Sequence, residues 1–340
     1  MSKALVVSDV HFHRWQYGST IVDGYNSRLL GQLKYFFLLR DICVDRGIKH
    51  VICLGDLFHT NQTVHAEVLS AASQAIRCLA NAGIQFHCLV GNHDMASKDG
   101  KIHSLDWLRS YGQLVDRPQV LTIEGRHIAA CPYTESVEQL TDFLTKPRLK
   151  AELVLLHQGV NLHESRGSAW VLNEIFTKEM VPEYVKRVLT GHYHKPIDDG
   201  KISIVGSPMQ HNWSDYDDAA RGCMILDLDT LETERIPNTF SPTFLKVDYE
   251  NIHADIANKF VRMIGCPTDE VETIREIVLK LGAVSVEFDV SSVNKNSNEE
   301  VQSTFTTLDE ILHEYDETVD GRRREVGKLI RESAYETPKF

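Results

Sequence analysis

Val51-Ile52-Cys53-Leu54-Gly55-Asp56-Leu57-Phe58-His59 joins an apolar run of strand length to a turn that carries a carboxylate and an imidazole. Four apolar residues without charge suit a strand buried on both faces, and Gly55 lets the backbone turn tightly enough to present Asp56 at the strand exit. The same construction recurs along the chain. Ala4-Leu5-Val6-Val7 precedes Asp9-Val10-His11, and the run from Gln85 to Val90 precedes Gly91-Asn92-His93-Asp94. Leu153 to Leu156 precedes His157, and Arg187 to Leu189 leads to Gly191-His192-Tyr193-His194. In layered α/β folds the carboxyl ends of neighbouring strands line one crevice, so these five segments are expected to converge.

Carboxylate, amide oxygen and imidazole are the ligand types on offer. None of the 7 Cys falls in the turns that carry these donors, which argues against a closed thiolate zinc site. Mixed oxygen and nitrogen donors suit manganese, iron or zinc in an open catalytic site. Asp56 is placed to bridge two cations. Asp9, His11 and His194 are expected to hold the first, and Asn92, His157 and His192 the second. Two ions roughly 3.5–4 Å apart activate a water and clamp an attacked phosphorus. His93, next to Asn92, is placed to stabilise the transition state or protonate the leaving oxygen. His13 and His211 stand between substrate contact and a structural role, whereas His50, His65, His87, His103, His127, His253 and His313 read as surface or satisfied core residues.

From residue 3 to about 94 the pattern alternates strand and helix, with helices expected at Arg28 to Arg46 and at about Val64 to Ala82. After Pro118 shorter runs suggest a second half-sheet, with Ile202 to Val205, Cys223 to Leu228 and Glu232 to Ile236 as consecutive antiparallel strands closing it. The domain is expected to span 1–237 as a two-sheet α/β sandwich. A break at Pro237 to Pro242 leads into a small α+β unit, 243–290, read as Phe244 to Tyr249 (strand), Asn251 to Ile264 (helix), Thr268 to Leu281 (helix) and Val284 to Val290 (strand). Residues 291–306 have linker composition, and 307–340 read as two helices with an apolar stripe over Leu308, Ile311, Leu312 and Tyr315.

With 340 residues, 42% of them hydrophobic, size does not limit the core. The cysteines are scattered, without a Cys-x-x-Cys pair, and read as reduced core thiols. The chain enters a strand at once, without an apolar leader, so a cytoplasmic location with no membrane insertion is expected. A net charge of -12 argues against a broad basic clamp for nucleic acid, but two divalent ions supply positive charge where a phosphate must sit. A partner could supply further grip.

The motif set over residues 3 to 236 resembles the calcineurin-like metallophosphoesterases. Protein phosphatases of that superfamily carry an Asp three residues after the second-motif carboxylate; His59 stands there. Gly55-Asp56-Leu57-Phe58-His59, Gly91-Asn92-His93-Asp94 and Gly206-Ser207-Pro208-Met209-Gln210 are similar to the SbcD-type DNA repair nuclease subunit and its bacteriophage relatives. That resemblance implies a metallophosphoesterase domain followed by a DNA-contacting cap and C-terminal helices that dock an SbcC-type ABC ATPase. It implies two divalent ions, Mn²⁺ first and Mg²⁺ or others as alternatives, and a homodimer. The implied activity is 3′ to 5′ exonuclease on double-stranded ends and endonuclease on single strands or hairpins, with His93 catalytic and His59 positioning the duplex end. Two other readings stay open: a phosphatase or phosphodiesterase on nucleotides or phosphoprotein, and a scaffold for DNA ends or the ATPase with weak catalysis.

Overall fold

A computed structural model describes residues 2–145, 151–160, 176–216, 219–252 and 255–289. The chain divides into two compact units, Met1–His211 with Asp217–Phe240, and Asn212–Tyr216 with the chain from Ser241 onward.

The first unit is built on two six-stranded sheets. In the first, Lys3–Val7, His50–Cys53, Gln85–Leu89 and Leu114–Val115 run parallel. In the second, Arg126–Cys131, Leu153–Leu156, Arg187–Thr190 and Ile202–Ile204 run parallel between two antiparallel edge strands. Alternation along each strand divides its side chains between layers. Leu5, Val7, Val51 and Cys53 pack under helices α1 (Ser27–Arg46) and α2 (Ala66–Asn81). Ala4, Val6, Ile52 and Leu54 face the other sheet, where Ile128, Leu153, Leu155 and Leu189 meet them. On the far side Val154, Leu156 and Val188 pack against Leu140, Phe143 and Leu144 of α3 (Val137–Thr145). Each such Val, Leu or Ile taken from water contributes about 1.5–3 kcal/mol before entropy is counted. The arrangement is the expected two-sheet α/β sandwich.

Helix α1 starts where the Asn26 side chain accepts from the Arg28 and Leu29 amides, at 3.0 and 3.1 Å, and ends at Gly47. It begins and ends close to the expected bounds; α2 is shorter than expected by two residues at its start.

Two expectations about strands are corrected. Gly222–Asp227 and Thr233–Pro237 pair antiparallel with each other but lie in the first sheet, beside Lys3–Val7, and Ile202–Ile204 pairs parallel in the second. The reason is visible in Cys223 to Leu226. Cys223 and Ile225 face the helices while Met224 and Leu226 face the inter-sheet core, so this strand is apolar on both sides and takes an interior position.

The second unit carries three parallel strands, Thr243–Asp248, Lys259–Ile264 and Ser285–Asp289, with α4 (Val271–Lys280). The helix expected over Asn251 to Ile264 is therefore wrong: its second half is the central strand, entered through Asn258 at φ 58°. Phe260, Val261 and Met263 are buried in that strand, and no helical face had to be supplied. The helix expected from Thr268 begins at Val271, after Pro267. No helix among the described residues is long and apolar enough to cross a membrane. The expected linker 291–306 and helices in 307–340 lie outside the described residues.

Candidate dinuclear metal centre

All five segments leave carboxyl ends of parallel strands in the two sheets and meet at one end of the sandwich. Four of the residues they present sit in left-handed backbone: Asp9 at φ 53°, His11 at 49°, Asp56 at 52° and His192 at 82°. Non-glycine residues rarely adopt this region, and each costs on the order of 1–3 kcal/mol that the surrounding fold supplies. Glycine precedes the motifs for a second reason, close approach. A Cβ on Gly91 would lie 2.2 Å from Asp56 Oδ1 and 2.3 Å from the Asp56 amide, and one on Gly191 would lie 2.2 Å from Ser8 Oγ.

The side chains form two abutting groups. Asp9, His11 and His194 place donor atoms within 4.8 Å of one another, and His11 Nε2 lies 3.0 Å from His194 Nε2. Asn92 Oδ1 lies 3.2 Å from His157 Nε2 and 2.9 Å from His192 Nδ1. Asp56 stands between them, with Oδ2 3.3 Å from His157 Nε2 and 3.7 Å from His11 Nε2. Asp9 also groups with Asp56 and His157, so its carboxylate reaches toward both sides. Two imidazole nitrogens 3.0 Å apart, with converging carboxylate oxygens and an amide oxygen, form a donor set suited to two divalent ions. The residues present fit that group.

Protonation follows the same arrangement. Burial, followed by the neighbouring imidazoles, holds His11 well below its ordinary value. Burial and then His13 bring His59 to about 4, and burial and then His157 bring His192 to about 4. His157 goes the other way: burial opposes its charge, but Asp56 and Asp9 outweigh it and raise it to about 10, while Asp56 falls to about 2 against its own burial. The two opposite shifts arise from one buried pair, His157 with Asp56, and a cation there would take the place of the pair's proton. Its Nδ1 donates to Leu54 O at 2.6 Å, which aims Nε2 at the centre.

His93 and His59 adjoin the first group. The His93 amide donates to Asp56 Oδ1 at 2.8 Å, and its Nδ1 donates to His59 O at 2.7 Å, leaving Nε2 for proton transfer. His59 Nδ1 lies 3.3 Å from His11 Nδ1, and His11, His59 and His93 form a third donor cluster. His13 and His211 both lie beside this group, His13 partly exposed and His211 buried. The His13 ring centroid is 4.8 Å from that of His59, and His211 Nε2 donates to Asp9 O at 3.0 Å.

Several supporting residues escaped the sequence reading. Gln32, buried in α1, donates from Nε2 to Val10 O at 2.8 Å and His11 O at 2.7 Å and accepts from the His13 amide at 3.1 Å. Asp94 accepts from the amides of Gly91 and Phe58, both at 3.0 Å, and of Leu57 at 3.3 Å, tying two ligand loops together. Burial and the neighbouring Asp56 push Asp94 up to about 7. Trp15 stacks on His211, centroids 5.3 Å apart at 12°, and Tyr133 stacks on His192 at 5.6 Å and 22°. The one signal for Asp94 was its place beside His93; Gln32, lying on a helix far along the chain from any motif, gave none.

The family model described as Calcineurin-like phosphoesterase matches residues 2–196. The phage T4 protein named Exonuclease subunit 1 is 26% identical over 300 residues, covering 82% of this chain and 84% of its own length. A Sulfolobus acidocaldarius protein named DNA double-strand break repair protein Mre11 is 27% identical over 241 residues, covering 66% of this chain and 60% of its own length. Among solved structures, a 5'-nucleotidase precursor from Thermus thermophilus aligns with a TM-score of 0.39 at 12% identity, covering 69% of this chain and 54% of that one.

Proposed function

Because the chain belongs to the calcineurin-like phosphoesterases, we propose that it is a DNA nuclease subunit that hydrolyses phosphodiester bonds at a two-metal centre. The observation that carries the reading is Asp56 Oδ2 set between His157 and His11, with an imidazole and amide group on one side and a carboxylate and imidazole group on the other. Asp9, His11 and His194 would hold one ion, Asn92, His157 and His192 the other, and Asp56 both. Bound ions would supply a nucleophilic water near neutral pH and charge neutralisation at phosphorus. Mn²⁺ is the ion proposed.

The protein's own groups do the rest. Asp94 and Gln32 fix the ligand loops, so little reorganisation is left for the reaction. His93, held by Asp56 and the His59 carbonyl, keeps Nε2 for the proton on the leaving oxygen. His59, against His11 and Trp15, occupies the rim where a strand end enters. The names of the phage and archaeal relatives, an exonuclease subunit and break-repair proteins, support DNA over a phosphomonoester as substrate. From the motif resemblance over residues 3 to 236 we propose 3′ to 5′ exonuclease activity on double-stranded ends, endonuclease activity on single strands or hairpins, a homodimer, and a coiled-coil ABC ATPase partner.

A labelled linear duplex and a single-stranded circle, with Mn²⁺, Mg²⁺ or chelator, test the reading. His93→Asn is expected to lower turnover about 10²–10⁴-fold while calorimetry still counts two bound ions. Cleavage of nucleoside monophosphates with intact DNA, or cleavage indifferent to chelator or to His93→Asn, would contradict it.

A further inference from the structure

Next to the metal centre, on its His192 side, lies a recess of about 290 Å³ whose walls include Val90, Met95, Pro132 and Tyr133. Tyr133 connects the two. Its amide donates to Val90 O at 2.9 Å, directly before Gly91 and Asn92, and its ring stacks on His192 and lies 6.3 Å from that of His157. A group bound against Tyr133 in the recess is therefore one ring removed from two of the residues assigned to the second ion.

The chemistry of the walls selects what enters. Met95, Val90 and Pro132 are apolar, and Tyr133 adds a half-exposed aromatic ring. Four charged residues reach the rim. Asp99 is paired with Lys101 at 2.9 Å, Asp116 shares Arg109 (2.5 Å) with Asp106 (3.0 Å), and Lys98 and Glu135 carry opposite charges. The recess thus carries no positive surplus and gives no reason to hold a second phosphate. Gln139 accepts through Oε1 from Thr134 at 2.8 Å, which leaves its amide NH₂ as a donor at the rim. The volume, at the lower end for a ligand site, admits one heterocycle with its sugar but not a base pair. Apolar walls, one aromatic face, a few polar groups at the edge and no positive surplus suit a nucleobase.

We propose that this recess takes the unpaired nucleobase of the nucleotide whose phosphate enters the metal centre, with Tyr133 as its stacking face. The inference rests on the nuclease reading and narrows its substrate: the nucleotide being cut is unpaired, at a frayed end or in a single strand. Tyr133 serves as a substrate-binding residue and also braces His192.

Calorimetric titration of the full chain with dAMP and with 2-deoxyribose 5-phosphate, at saturating Mn²⁺, separates base from phosphate. The wild-type protein is expected to bind dAMP about tenfold more tightly, within the range of one base stack. That ratio is expected to fall to about one in Tyr133→Ala and to persist in Tyr133→Phe. Equal binding of the two ligands by the wild type, which needs no variant, overturns the proposal, as does a ratio that survives Tyr133→Ala. Oligonucleotide cleavage is scored in parallel. A protein that discriminates the base but leaves every oligonucleotide intact contradicts the nuclease reading and keeps the pocket; one that cleaves them without base discrimination loses the pocket alone.

Discussion

Gln32 shows how much the position of a candidate ligand depends on residues outside the donor set. Its single amide group satisfies the carbonyls of Val10 and His11, in a loop where Asp9 and His11 both hold left-handed backbone. Replacing Gln32 by Leu leaves those carbonyls unpaired and frees the loop to relax. The expected result is a 10–100-fold weaker affinity for one of two ions, read by calorimetry, with a smaller change at the other. Equal weakening at both would indicate general destabilisation instead. The convergence of the candidate ligand residues was legible in the sequence because a Gly-Asp or Gly-Asn-His turn after an apolar run is a local pattern. Gln32, Tyr133 and Trp15 were not, because each acts through a contact made only by the tertiary fold. His13 and His211 could be narrowed no further for the same reason: their place beside the centre depends on Trp15 and His59, which come from separate loops.

Among the elements, strands were easier to find than to place. The apolar run Cys223 to Leu226 announces a buried strand, but its seat beside Lys3–Val7 is a long-range pairing that no local pattern encodes. In the second unit, Lys259–Ile264 was mistaken for the end of a helix because its apolar residues fit either period over so short a run. A testable consequence at this scale lies where the sheets are tied together, far from the ligand loops. The Gln113 amide donates to His87 Nδ1 at 3.3 Å, so the ring proton sits on Nε2 and is donated to His50 Nδ1 at 3.1 Å. His50 Nε2 then donates to Glu124 at 2.9 Å. Burial, and then His50, bring His87 from the ordinary 6.5 to about 4. Between these values the unfolded chain binds a proton that the folded chain does not, so stability falls as pH drops. From pH 7 to pH 5 the loss from this group is about 2 kcal/mol. Urea midpoints of the wild type and His87→Gln at both pH values check it: the wild type is expected to lose more, and equal losses would remove His87 as the cause.

For the whole molecule, we propose a catalytic unit that assembles its metal site internally and a remainder that directs it to DNA. The net charge of -12 gives the chain little general attraction for nucleic acid, so a partner is expected to supply the grip. Deleting residues 307–340 is expected to abolish co-purification with a coiled-coil ABC ATPase while two ions still bind; retained co-purification would place the contact elsewhere. The break around Pro237 to Pro242 is a local compositional signal, whereas the inclusion of Asn212–Tyr216 with the second unit has none, since Trp213 packs on Phe244 and Arg262 across a gap in sequence. Everything proposed for the chemistry depends on two ions sharing Asp56. Anomalous diffraction from Mn²⁺-loaded crystals tests this most directly: the account predicts two peaks, one among Asp9, His11 and His194 and one among Asn92, His157 and His192, with Asp56 touching both. A single peak, or peaks away from Asp56, would contradict it.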